Sequence, residues 1–204
     1  MKEKVKNKKY SLKGSSLWGL LVFGLLFFVD MLTKVAADVY FTKYPTPIKL
    51  IPGYLELQIS YNEGMAFSMG AGWPTEAKIA LVCGTGLVFV ALLVLYFMLD
   101  KRRSWLRNSL IFVVAGGVGN FVDRILYLLG QLGGVRDMVR LRIFVFDFGV
   151  CNFADFFIVG GGIALMLALL FFDGSAVWPT GKKYKALAEE FEEREEMKKQ
   201  AKAK

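Results

Sequence analysis

The chain has 204 residues, 55% of them apolar and 22% charged, with two cysteines, no histidine and a formal net charge of +8. That length suits one domain; the lack of histidine excludes an imidazole base or proton shuttle, and two cysteines give neither a disulfide framework nor a metal cluster. The positive residues flank apolar segments and do not interleave with exposed aromatics, which points to topology signals and anionic lipid and away from nucleic acid.

Residues 1–16 form a basic tail carrying Lys2, Lys4, Lys6, Lys8, Lys9 and Lys13. The apolar run 17–39 is long enough to cross a bilayer, which takes about 20 helical residues. Lipid offers the backbone no water, so such a run must close its own hydrogen bonds as a helix. Val35-Ala36-Ala37 has the small-residue spacing of a signal-peptide cleavage site. Asp30 and Lys34 lie just upstream, however, and three more spans follow, so a retained first helix is expected.

Residues 40–74 form an outer loop in which Gly53–Tyr61 alternates well enough for a short strand. The second span covers 75–99, Asp100-Lys101-Arg102-Arg103-Ser104 is a tight basic turn, and the third span covers 105–129. A second outer loop, 130–152, leads into the fourth span at 153–172. The expected architecture is an all-α membrane protein of four transmembrane helices with a small strand-containing loop region: one domain over 1–178, then a charged tail over 179–204. Glu190–Arg194 and Glu195–Lys199 have the i,i+4 spacing of a solvated helix in that tail.

Six lysines in the first tail, four Lys or Arg in 100–107 and eight from 179 onward fall on one side of a four-span chain. The positive-inside rule makes that side cytoplasmic, giving N-in, C-in, with both long loops outside.

Ionisable groups in spans cost roughly 2.5–3.5 kcal/mol each at a helix centre by insertion scales and persist only with partners or water. Here they cluster. Asp30 and Lys34 are one turn apart in span one; Asn120, Asp123 and Arg124 lie at i, i+3, i+4 in span three; Asn152 and Asp155 open span four. Each cluster has a bland explanation: an interfacial ion pair, interhelical hydrogen bonding, and a helix cap with Asn152 at N-cap and Asp155 at N3. None of these explains why all three fall at the outer ends of the spans. A transport path would put such groups at successive depths, including the midplane. Converging carboxylates permit a different chemistry, in which two aspartates share one proton and activate water on a peptide carbonyl. Cys83 and Cys151 read as packing residues. The glycines 116, 117, 119 and 160–162 read as sites of close helix approach.

Four motifs in this order resemble the lipoprotein signal peptidases (signal peptidase II) over roughly Val29 to Ile163. They are Asp30-Met31-Leu32-Thr33-Lys34, Tyr61-Asn62-Glu63-Gly64-Met65-Ala66-Phe67-Ser68, Gly116 to Ile125 around Asn120-Phe121-Val122-Asp123-Arg124, and Asn152-Phe153-Ala154-Asp155. The resemblance implies an aspartyl endopeptidase of the bacterial inner membrane, its site facing outward. It would cut signal peptides from lipid-modified prolipoproteins just before the modified cysteine, and globomycin would inhibit it. Asp155 matches one catalytic aspartate. Val135-Arg136-Asp137-Met138-Val139 is the best match to the stretch bearing the other, making Asp137 the partner and Asp147 the alternative. Arg136 departs from a usually apolar position, the interval from Asp123 to Asp137 is longer than usual, and Cys151 stands where an aromatic is common. Asn62, Gly64, Asn120, Asp123, Arg124 and Asn152 would position substrate and dyad, with Asp30 and Lys34 in support. No cofactor or metal is implied. Prolipoprotein substrates and membrane lipids are the expected partners of a monomeric chain, with no nucleic acid.

Overall fold

The computed structural model describes residues 12–65, 69–99, 103–173 and 176–202, without the side chains of 12–16, 198, 199 and 202. Lys2, Lys4, Lys6, Lys8, Lys9, the Lys13 side chain, Asp100 to Arg102, Ala66 to Ser68 and the Lys199 side chain therefore lie outside it. The described chain runs α1 (Leu12–Lys43), β1 (Ile48–Ile51), β2 (Leu55–Asn62), α2 (Thr75–Met98), α3 (Ser104–Leu128), β3 (Val135–Ile143), β4 (Phe146–Cys151), α4 (Phe153–Leu170) and α5 (Gly181–Lys202).

Leu17–Lys43, Thr75–Met98, Ser104–Leu128 and Phe153–Leu170 are each long and apolar enough to cross a membrane. The chain is a multi-pass membrane protein, and the first span extends one turn beyond the expected residue 39. Val35-Ala36-Ala37 lies inside α1, directly after the buried Lys34. α3 is the central helix: it packs on α1, α2 and α4, and most of its length is buried where the other spans stay open to lipid. That asymmetry has a sequence basis. α3 carries small residues over 115–119, and a Cβ on Gly116 would strike the Ala154 carbonyl oxygen of α4. Gly161 meets Phe112 and Val113 in the same way, so the expected close approach holds there. At Gly160 and Gly162 it does not, because a Cβ would meet nothing within 4 Å.

The two long loops do more than connect. They build one four-stranded antiparallel sheet in the order β1-β2-β3-β4. β2 is the strand expected from 53–61, moved slightly along the chain. The β3–β4 hairpin replaces what reads in the sequence as an irregular loop, while the long interval between Asp123 and Asp137 holds the last turn of α3 and the turn 129–134. Gly134 opens β3 at φ +153°, and a Cβ there would lie 2.7 Å from the Asn62 carbonyl, so only glycine lets the two strands meet at this point. α5 is a solvated helix, with Arg194 Nη2 on Glu190 Oε1 at 2.8 Å.

Candidate active site

The site forms where β2 and β3 meet the C-terminal parts of α1 and α3 and the N-terminus of α4. α4 begins with a capping box: Asn152 Oδ1 accepts the Asp155 backbone N–H at 3.1 Å, and Asp155 Oδ2 accepts the Asn152 N–H at 3.0 Å. The cap read from the sequence is real, and it is not the whole role of these residues. Asn152 Nδ2 spends its two hydrogens on Asp137 Oδ1 at 2.6 Å and Asn120 Oδ1 at 3.0 Å. Asn120 Nδ2 in turn donates to Asp155 Oδ1 at 2.8 Å. Two asparagine amides thus hold both aspartates, one from each side.

Asp137 is buried on β3 and also hydrogen bonded by Asn62. Burial first, and then the nearby Asp155 charge, push its carboxyl up to about 7. Asp155 accepts an N–H on each oxygen.

Behind this pair lies a buried charge network. Lys34, fully buried, donates to Asn120 Oδ1 at 2.8 Å and pairs with Asp30 Oδ2 at 2.9 Å and Asp123 Oδ2 at 3.7 Å. Asp30 Oδ1 accepts the Ala154 N–H at 2.8 Å, so a carboxylate of α1 satisfies a free donor in the first turn of α4. A Cβ on Gly119 would collide with Asp30 Oδ2, which makes glycine a requirement of this junction. Asp123 takes three donors from Arg136: the backbone N–H at 3.0 Å, Nε at 3.2 Å and Nη2 at 2.6 Å. Arg136 is therefore the partner of Asp123, and its departure from an apolar position is compensated by a forked ion pair.

The residues expected from the first long loop also arrive. Asn62 Oδ1 accepts the Gly64 N–H at 3.0 Å, Asn62 Nδ2 donates to the Met65 carbonyl at 3.0 Å, and Arg124 Nη2 reaches the Gly64 carbonyl at 3.4 Å. Arg124 also interacts electrostatically with Asp155 and Asp137. Asp147 is elsewhere. It is 43% exposed on β4, paired with Arg140 and Arg142, and those bonds with the Gly149 N–H hold its carboxyl down at about 2. The Cys151 thiol donates to the Val139 carbonyl, and burial with the two nearby carboxylates pushes it up to about 11, far from a reactive thiolate.

Two neighbours escaped the sequence reading. Asp38 accepts Tyr61 Oη at 2.5 Å and approaches Arg136 Nη1 at 3.9 Å. Its signal was present, since 30, 34 and 38 continue one i,i+4 face. Glu63 joins Tyr127 at 2.9 Å and Lys78 at 3.4 Å, tying the Asn62 turn to α3 and α2.

A buried aspartate and a half-buried one, bridged by two asparagines on a membrane scaffold, narrow the comparison. The family model for signal peptidase (SPase) II matches residues 22–171. The chain belongs to this family. Within signal peptidase II, the lipoprotein signal peptidase of Streptococcus thermophilus (strain CNRZ 1066) is 39% identical over 60% of this chain and 72% of its own length. That of Xylella fastidiosa (strain M12) is 31% identical over 76% and 89%. A bacterial membrane enzyme solved in meso at 2.3 Å resolution is 26% identical, with a TM-score of 0.62 over 75% of this chain and 87% of that one. All the motifs described here fall inside the matched span.

Proposed function

We propose that this chain is an aspartic endopeptidase that removes signal peptides from diacylglyceryl-modified prolipoproteins, cleaving just before the lipid-modified cysteine. The observation that carries this reading is the asparagine clasp, in which Asn152 and Asn120 hold Asp137 and Asp155 together, each carboxylate accepting their N–H groups. Asp155 takes a proton from water as its oxygen attacks the peptide carbonyl. Asp137 gives its proton to the carbonyl oxygen, and the tetrahedral diol forms. On collapse the Asp155 proton goes to the cysteine nitrogen, a diol hydroxyl returns its proton to Asp137, and the starting dyad is restored.

Lys34, Asp30, Asp123 and Arg124 orient this pair, and Asn62 with Gly64 supplies hydrogen-bonding groups to an extended signal segment. The basic segments support N-in, C-in topology in the bacterial cytoplasmic membrane, with the site on the extracytoplasmic side and 179–204 as a cytoplasmic tail after the catalytic domain of 1–178. A monomer contains every residue the reaction uses. A transporter reading, the alternative, gains no support from the clasp, which ties both carboxylates to the same pair of asparagines.

Cleavage of a lipid-modified prolipoprotein by the purified chain tests the assignment. A product beginning at the modified cysteine, with turnover abolished by globomycin, is expected. Absence of cleavage by a folded, membrane-reconstituted sample contradicts it.

A further inference from the structure

Three residues on one stripe of α1 each hold a different element. Asp30 Oδ1 accepts the Ala154 N–H of α4 at 2.8 Å, and Lys34 Nζ donates to Asn120 Oδ1 of α3 at 2.8 Å. One turn further on, Asp38 Oδ1 accepts the Tyr61 hydroxyl of β2 at 2.5 Å, and Asp38 Oδ2 lies 3.9 Å from Arg136 Nη1 of β3. The spacing i, i+4, i+8 keeps all three on that stripe over a rise of about 12 Å. Asp30 and Lys34 belong to a motif of the family. Asp38 lies beyond all four motifs, and the reaction makes no direct use of it.

What Asp38 holds is the back of the catalytic strand pair. Tyr61 and Arg136 are direct cross-strand partners, and Asn62 and Asp137 follow them in the chain. Side chains alternate along a strand, so Tyr61 and Arg136 share the face that meets α1, while Asn62 and Asp137 point to the opposite face. There Asn62 hydrogen bonds Asp137, a diagonal pair across the two strands. Of the two contacts of Asp38, the one to Arg136 is loose, and Arg136 keeps its fork on Asp123 without it. The Tyr61 bond is short and has a charged acceptor, which makes it the stronger tie. Burial first, and then this bond, push the Tyr61 hydroxyl up, so it stays a donor.

We propose that Asp38 is a positioning residue for Asp137: through Tyr61 it holds β2 against α1 and so keeps Asn62 within reach of the Asp137 carboxyl. One stripe of α1 then places both aspartates. Asp30 seats the helix that carries Asp155, and Asp38 seats the strand pair that carries Asp137. The kinetic consequence rests on the peptidase reading; the placement of Asp137 does not.

Two substitutions remove the tie in different ways. Tyr61→Phe takes away the hydroxyl and leaves the ring; Asp38→Ala takes away the acceptor. Asp38→Asn keeps an acceptor oxygen for Tyr61. With the full chain reconstituted and lipid-modified prolipoprotein as substrate, Tyr61→Phe and Asp38→Ala should each lower kcat about tenfold, with KM near the parent's, as a small misplacement of the acid requires. Asp38→Asn should recover most of that loss. Asp38→Ala combined with Tyr61→Phe should fall no further than either alone, because both break one path. Without substrate, the pH at which the unfolding midpoint declines reads the Asp137 carboxyl. The Asn62 bond favours its ionised form, so loosening that bond should move the decline above its parental place near 7. Tyr61→Phe leaves the charges and titratable groups around Asp137 in place: Asp155 on α4, Lys34 on α1, Arg124 on α3 and Cys151 on β4. A shift in that variant therefore comes from geometry. An unmoved decline in Tyr61→Phe overturns the proposal whatever its kcat, as does an additive loss in the double variant. A parent that cleaves nothing sinks the peptidase reading, and the pH decline still decides the placement.

Discussion

Asn152 Nδ2 donates to Asp137 Oδ1 at 2.6 Å while the backbone N–H of the same residue donates to Asp155 Oδ2 at 3.0 Å. One residue thus touches both aspartates and caps the helix that carries the second. Asn152→Ser separates these duties. Serine keeps the cap, so thermal unfolding in detergent should stay near the parent, whereas kcat should fall about 10²-fold from the lost positioning bond. Asn152→Ala should lose both, at a further cost of about 1 kcal/mol in stability. Parental kcat in the serine variant would show that the clasp to Asp137 is dispensable.

Asp137 gives the protein a pH signature. Its carboxyl stands at about 7 against an ordinary 3.8, chiefly through burial and then through the Asp155 charge. Between those values the folded chain binds a proton that the unfolded chain has released. Stability from this group is therefore full below the lower value and is lost as pH rises through 7. Asp137→Asn should flatten that decline, measured as unfolding midpoint against pH. Cleavage by the parent should fall with a one-proton limb near 7, as the general acid ionises. A rate that climbs steadily to pH 9 rules this assignment out.

The Asp123–Arg136 pair is buried, with side-chain exposures of 0% and 7%. Asp123→Ala leaves a buried guanidinium without its main partner and should cost about 3–5 kcal/mol. Asp123→Leu combined with Arg136→Met should recover much of that loss in thermal unfolding, since it removes both charges. A single alanine variant as stable as the parent would refute the pairing.

Asp147→Asn should leave cleavage and the melting temperature near parental values, because Asp147 ends in exposed ion pairs on the charged face of the sheet. Loss of turnover in that variant would move the first catalytic aspartate from Asp137.

The spans were legible because hydropathy alone demands them, and Asp30–Lys34 and Asn152–Asp155 because one helical turn brings each pair together. The β3–β4 hairpin was not. Its turn, Phe144-Val145, carries no Gly, Asn or Pro, and Asp137 and Met138 break the alternation that marks Val139-Arg140-Leu141-Arg142-Ile143. Arg136 looked like a defect in a motif because its partner Asp123 reaches it from α3, a relation that no helical or strand period encodes. Asp38 was hidden by its place at the expected end of the span, although the face it continues was visible. The amide bridges of Asn120 and Asn152 follow from three elements meeting, and no single segment announces them.

The central claim is that Asp137 and Asp155 together activate water. Prolipoprotein cleavage by purified Asp137→Asn and Asp155→Asn, each shown to be folded and reconstituted like the parent, tests it most directly. Each variant should lose at least about 10³-fold in turnover, within the span of general acid–base catalysis. Parental turnover by either one contradicts the account.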